Sequence, residues 1–320
     1  MNGPQEHSTA DKPMGSRAVL LTVLTAILWG GLPTAVRFST EEIPPVAVAG
    51  LRFAMAAAFT AIWAGLHGVP LRIRPHQMLR PFVGGILLFL QIALFTVGIF
   101  WSNASHGSVM VNTFVFWVVA IEHFMLRTAV MNARRLSGLV LAAAAVVLIL
   151  LTMSDSAPST DPPSLAGDLM LLASAFLLAI KILFTRVSVR HLHPDQFVTW
   201  HAVFGTLLFA AWSLSTEQVN VERLMEIDNT SVRNALIGVA YQGIIVAGFC
   251  FAIQARLLTE YSAYRISVFS FSTPLFGILF AVLLRGDAIS PWLFLAGATV
   301  AAGITLVNSA DETSPPQTSK

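Results

Sequence analysis

Ten stretches of the chain are apolar for about 20 residues each, and this repetition constrains the fold most, because a helix rising 1.5 Å per residue needs about 20 residues to cross the hydrocarbon of a bilayer. They run approximately from Ala18 to Val36, Val46 to Leu66, Pro81 to Trp101, Gly107 to Leu126, Leu136 to Met153, Gly167 to Phe184, Phe197 to Leu214, Asn234 to Ala255, Ala263 to Leu284, and Trp292 to Val307. Hydrocarbon offers no partner to a backbone N–H or C=O, so each stretch is predicted to be an α-helix with its bonds closed internally. Only 11% of the residues are charged and the mean hydropathy is +0.72, against about 25% charged in a soluble domain. A water-soluble globule is excluded. The net charge of +2 provides no basic stripe for a nucleic acid. The single cysteine, Cys250, excludes an internal disulfide and a cysteine-based metal cluster. No cofactor and no metal site are expected.

Lys and Arg favour the cytoplasmic side of a membrane. With the N-terminus inside, eleven of them, including Arg72, Arg74, Arg127, Arg134, Arg135, Arg186, Arg190 and Arg256, fall on cytoplasmic loops and flanks, against four outside (Arg37, Arg223, Arg233, Arg285). Both termini are therefore predicted to be cytoplasmic. A Ser/Pro/Asp linker at 154–165 divides the chain into a first five-helix unit at 18–153 and a second at 166–307, between a disordered N-terminus at 1–17 and a disordered tail at 308–320. The units look duplicated. Pro45 and Arg52 open span two with a separation of seven, as Pro194 and His201 open span seven. Five is odd, so the second unit crosses in the opposite sense, the inverted-repeat plan of many secondary transporters.

Leu28-Trp29-Gly30 in span one, Ile43-Pro44 and Leu51-Arg52-Phe53 around span two, Ser272-Thr273-Pro274 in span nine, Gly286-Asp287 after it, and Leu295-Ala296-Gly297 with Ala302-Gly303 at the close resemble the drug/metabolite transporter superfamily, in particular ten-helix exporters built of two EamA domains. The resemblance extends from about Leu20 to Val307. Span four departs from the family, with Phe116 or Trp117 where a proline is usual, and Asp287 stands for the usual glutamate. The resemblance implies an all-α, multi-pass protein of the cell (inner, or plasma) membrane that exports amino acids, related metabolites or toxic organic compounds by alternating access at a central cavity.

Ionisable groups inside a span are costly and usually face a cavity or a partner. Arg52, two turns into span two, either binds a substrate carboxylate through paired hydrogen bonds or pairs with carbonyls or Glu122 to lock the bundle. Ser105, Ser108, Asn112 and His123 project within one sector of span four, with Glu122 beside them, as a wetted wall or as interhelical glue. Glu122 and His123 are the proton-exchange candidates; the alternative for Glu122 is an ion pair with Arg127 one turn away. Trp29 and Trp117 fall mid-span, where indole N–H groups suit an organic pocket or simple packing. Gly30, Gly31 and Pro33 weaken span one and are expected to free carbonyls. Gln91, Tyr241 and Gln242 line a cavity or tie helices, and Arg265 shares a face with Ser272 and Thr273. Lys181, near the end of span six, is expected to snorkel to the headgroups. These residues define a small-molecule partner and the bilayer as surroundings; one chain of ten spans suffices for a cavity, so an oligomer is not required.

Other patterns carry no chemistry. His193-Pro194-Asp195 spells the J-domain signature in a loop too short for that domain, and His191 with His193 lacks further metal ligands. No Walker loop, HExxH, GxSxG or carboxylate pair is present, so the chain is not expected to be an enzyme. The alternatives to transport are an intramembrane lipid-handling enzyme using Glu122, His123 and Asn112, or a scaffold.

Overall fold

The computed structural model describes residues 13–101, 110–127, 131–154, 164–225, 229–285 and 291–309. These residues are predominantly helical, with no strand among them. Six helices are long and apolar enough to cross a membrane: Ser16–Thr40, Pro45–Leu66, Pro75–Ile99, Leu165–Ser188, Pro194–Thr216 and Thr230–Glu260. The other four predicted stretches are also helical. The apolar helix at Met110–Met125 stands for the fourth, Ala133–Ser154 for the fifth, a helix broken by a tight turn at 263–285 for the ninth, and Pro291–Ser309 for the tenth. The first described helix begins at Ser16 and the last ends at Ser309, so residues 16–17 and 308–309 of the predicted disordered ends are helical; residues 1–12, 155–163 of the linker and 310–320 lie outside the described residues.

The first span is two helices, α1 (Ser16–Gly30) and α2 (Leu32–Thr40). Pro33 has no N–H to give the carbonyl of Trp29, so the ladder breaks there, and the N–H of Gly31 turns to that carbonyl instead. Helix α3 (Pro45–Leu66) and helix α4 (Leu79–Trp101) follow. Helix α5 (Phe114–Ala120) widens into a π turn at Ile121–Met125. Then come α6 (Ala133–Ser154), α7 (Leu165–Ser188), α8 (Pro194–Thr216) and α9 (Thr230–Ala240). A π stretch at Tyr241–Cys250 joins α9 to α10 (Phe251–Glu260). After α11 (Ala263–Ser267), a 3-10 stretch at Val268–Ser272 leads into α12 (Thr273–Arg285), and α13 (Pro291–Ser309) is last. The 3-10 stretch has a cause like that of the first break: Pro274 offers no N–H to Ser270, whose carbonyl is taken by Thr273.

The most extensive helix pairs all join the first half of the chain to the second: α3 with α8, α4 with α7, α6 with α13, then α4 with α8, α3 with the π stretch, α2 with α9, and α1 with α12. Exchanging each predicted span with the one five places on carries this set onto itself once α5–α7, the counterpart of α1–α12, is added. The pairs α3–α8 and α6–α13 map onto themselves, and α4–α8 maps onto the π stretch with α3. At the first of these crossings Phe53 and Phe209 stack with centroids 5.8 Å apart, and the Thr199 hydroxyl donates to that of Thr60 at 3.0 Å. Leu66, Ile62, Leu207 and Leu214 stand exposed on the perimeter while Arg265, Glu122, Lys181 and Arg186 are buried. That is the reverse of a water-soluble bundle.

Helices α6 and α13 cross backbone to backbone. A Cβ on Gly303 would lie 2.6 Å from the Gly138 carbonyl oxygen and 2.9 Å from the Ala142 nitrogen, neither of which can swing aside. Gly303→Ala is expected to destabilise the detergent-solubilised protein by about 1–3 kcal/mol, read as a lower thermal midpoint. Gly297→Ala, whose Cβ meets nothing within 4 Å, leaves the midpoint unchanged.

Candidate functional site

Two groups of ionisable side chains lie inside the bundle. The first is at the end where α5 and α7 finish and α11 begins. Glu122, fully buried in the π turn, forms an ion pair with Arg186 of α7. Its carboxylate also accepts the backbone N–H groups of Ala263 at 3.2 Å and Tyr264 at 2.9 Å. Those donors belong to the first turn of α11, where no carbonyl precedes them to accept, and a carboxylate there also meets the positive end of the helix dipole. Arg135 and Arg265 flank the Tyr264 ring, with their guanidinium carbons 4.9 and 5.6 Å from its centroid. Arg265 also donates to the Asn308 carbonyl at 3.4 Å. His123 accepts from the Met131 N–H at 3.3 Å. Arg186, not the expected Arg127, is thus the partner of Glu122; Arg127 is exposed at a left-handed turn, φ 52°.

The second group lies deeper. The Arg52 guanidinium stands 4.6 Å from the ring centroid of Phe53, and its Nε is buried without a hydrogen-bond partner. Arg52 and Lys181 of α7 are within electrostatic reach of each other, as are Lys181 and His201 of α8. Lys181 does not snorkel. It is 7% exposed, and its ammonium lies 4.8 Å from the centroid of Phe251. Its stem would have to extend beyond a helix that packs against α4 on one flank and α10 on another, so the ammonium is held inward. His201 is sandwiched between Phe197 and Phe251, with centroids 5.4 and 6.1 Å away, and its Nδ1 lies 2.8 Å from the Val198 oxygen. Trp29 meets Phe251 edge to face at 6.4 Å. Among the described residues no carboxylate is bonded to Arg52 or Lys181.

The remaining predicted residues take other places. Tyr241 donates to the Leu28 carbonyl at 2.6 Å, which bonds the last turn of α1 to the π stretch. At position 31 a Cβ would lie 2.6 Å from the Tyr241 oxygen, so a larger residue would displace that side chain. Gln242 donates to Ser39 at 2.8 Å and to the Ala35 carbonyl at 3.3 Å. Gln91 donates to Ser174 at 3.2 Å, and Ser174 returns a bond to the Gln91 carbonyl at 2.8 Å. All three tie helices together. Trp117 is 41% exposed and packs on Phe176, away from Arg52 and Lys181. Asn112 is half-buried ahead of α5; Thr273 is half-buried with a hydroxyl that has no hydrogen-bond partner. Ser105 and Ser108 of the predicted polar stripe lie outside the described residues. Helix α8 explains the set-aside histidine motif: His193 accepts from the Asp195 N–H, Gln196 accepts from the His193 N–H, and Asp195 pairs with Arg256 at 2.7 Å. It is a helix cap.

Long apolar helices with ionisable groups buried between them define a multi-pass membrane protein. Residues 16–151 and 165–309 each match the EamA-like transporter family, and the chain belongs to that family. It is 22% identical to the uncharacterized transporter YoaV of Bacillus subtilis over 90% of this chain and 95% of that one. It is 25% identical to a "Probable amino-acid metabolite efflux pump" of Escherichia coli, covering 91% and 94%, and 23% identical to a protein of the same description from Salmonella typhimurium, covering 91% and 94%. A crystal structure at 19% identity has the same fold, with a TM-score of 0.77 over 92% of this chain and 99% of that one. The family and these relatives are described as transporters or efflux pumps, not as enzymes.

Removing one member of the Glu122–Arg186 pair leaves an uncompensated charge in a dry site. Glu122→Met and Arg186→Met are each expected to cost about 3–5 kcal/mol, and the double variant Glu122→Met/Arg186→Met less than their sum. Thermal unfolding of the four proteins in one detergent closes the cycle.

Proposed function

We propose that this protein is a secondary transporter of the plasma membrane that exports small organic metabolites, amino acids or related compounds among them, by alternating access between two inverted five-helix units. The units are 18–153 and 166–307, giving ten spans with both termini in the cytoplasm. The observation that carries the reading is the placement of Arg52 and Lys181, cations inside a membrane bundle to which no carboxylate among the described residues is bonded. Such groups inside spans mark solute paths, and a guanidinium presents two parallel donors to a carboxylate. The exchange symmetry of the helix pairs supports the repeat, and the two family matches fall on the two units. The two efflux-pump relatives support the amino-acid class and the outward direction.

Glu122 ties α5, α7 and α11 together at the end that the loop charges assign to the cytoplasm. This arrangement supports a closure of the cytoplasmic side, released when the Arg186 pair and the two N–H bonds part. Trp29 and Phe251 supply the apolar wall beside Lys181. One chain contains every residue invoked, so a monomer suffices.

Counterflow of a labelled panel of amino acids and organic compounds into proteoliposomes, with and without a pH gradient, tests the reading. Native protein is expected to exchange at least one compound, and Arg52→Ala, monodisperse and folded, to lose at least about 90% of that flux. Gradient dependence that disappears in Glu122→Gln would add proton exchange at that carboxylate. Unchanged flux in Arg52→Ala would remove Arg52 from the site.

A further inference from the structure

Among the described residues the deep group contains three basic side chains and no acidic one. Arg52 lies seven residues into α3, about 10 Å from its start, and His201 lies equally deep in α8. The two helices run in opposite directions, since Glu217, just past the end of α8, accepts the N–H groups of Val46 and Ala47 at the start of α3 at 2.9 and 2.8 Å. Arg52 is therefore about 10 Å from one end of the bundle, and His201 with Lys181, seven residues before the end of α7, about 10 Å from the other. Three carboxylates of the described residues are engaged elsewhere. Glu122 is with Arg186, Asp195 is with Arg256, and Glu217 caps α3.

We infer that the solute recognised here is an organic acid of net negative charge with an apolar or aromatic body, and that Lys181 is a binding residue beside Arg52. The inference rests on the transporter reading for its setting and goes beyond it in naming the charge of the solute and a second anchor. A zwitterion brings an ammonium into a space where Arg52 and Lys181 repel it as strongly as they attract its carboxylate, and no described carboxylate is there to receive it. An amine has only the repulsion. A net anion offsets the mutual repulsion of the two cations and lies against Phe251, Trp29 and Phe53, whose faces and edges accept an apolar body. Arg52 and Lys181 at different depths let one carboxylate stay paired while it moves from one end of the site to the other.

Binding of four compounds sharing one aromatic body tests this: phenethylamine, phenylalanine, phenylacetate and phenylsuccinate, with charges from positive to doubly negative. Affinity is measured by ligand-induced thermal shift and equilibrium dialysis on the full chain in detergent, and counterflow of the same compounds in proteoliposomes. Both acids are expected to bind at least about tenfold more tightly than phenylalanine, with phenethylamine not bound. Arg52→Gln and Lys181→Gln each weaken phenylsuccinate by about tenfold or more, Lys181→Arg retains most of the affinity, and exposed Arg72→Gln changes nothing. Equal or tighter binding of phenylalanine or phenethylamine, no binding of either acid, or full affinity in Lys181→Gln overturns the inference. If Lys181→Gln does not fold, the Lys181→Arg protein and the native ranking by charge decide it. The two readings fail separately: acid binding without flux overturns transport and supports the anion site, whereas amino-acid flux without preference for acids overturns the anion site and supports transport.

Discussion

A backbone N–H or C=O in hydrocarbon must find its partner within the protein, and the places where helices break are where this chain meets that demand with side chains. Pro33 interrupts the first span, and Tyr241 takes the Leu28 carbonyl. Helix α3 starts without preceding donors' acceptors, and Glu217 receives two of its N–H groups. Helix α11 starts in the same way, and Glu122 receives two of its own. Each bond reaches across to another part of the chain. A break in one helix is thereby converted into an attachment to a second, and the buried carboxylates are accounted for by local backbone geometry before any role in solute movement is considered.

The same requirement separates the two buried charge groups. At the Glu122 end, charges meet opposite charges, helix N–H groups and aromatic faces, so the group resists rearrangement. Around Arg52 and Lys181 the surroundings are aromatic and the charges are of one sign. A group that is complete and one that lacks its counter-charge are different objects, although both read in sequence as ionisable residues within apolar runs.

Much of the architecture was legible in the sequence because a span's length and hydropathy are local properties. The Pro45–Arg52 and Pro194–His201 spacing likewise placed two equivalent side chains at equal depths in opposed helices. What was not legible depends on partners distant in the chain. Arg127 is one turn from Glu122, yet Arg186, 64 residues away, is the partner, because α7 packs on α5. Lys181 lies close enough to the end of its span for a free helix to let it snorkel, and packing against α10 prevents that. Gln91 and Gln242 were ambiguous between cavity and tie, and Ser174 and Ser39 on facing helices, invisible to periodicity, engage them. The His193 motif showed its purpose only once Pro194 was seen to begin a helix, with Asp195 reaching Arg256.

The pairing of first-half helices with second-half helices has a consequence for biosynthesis. A nascent chain that has reached residue 164 has made α3, α4 and α6, but α8, α7 and α13, their principal partners, do not yet exist. At about 5–20 residues per second, many seconds pass before α13 emerges. For that interval Arg52 has no assembled interior around it, and the lipid or the insertion machinery must hold the half-built bundle. Helix α13, which follows every other described helix in the chain, closes the Gly138–Gly303 contact, so that contact forms only after the rest of the described bundle has been made.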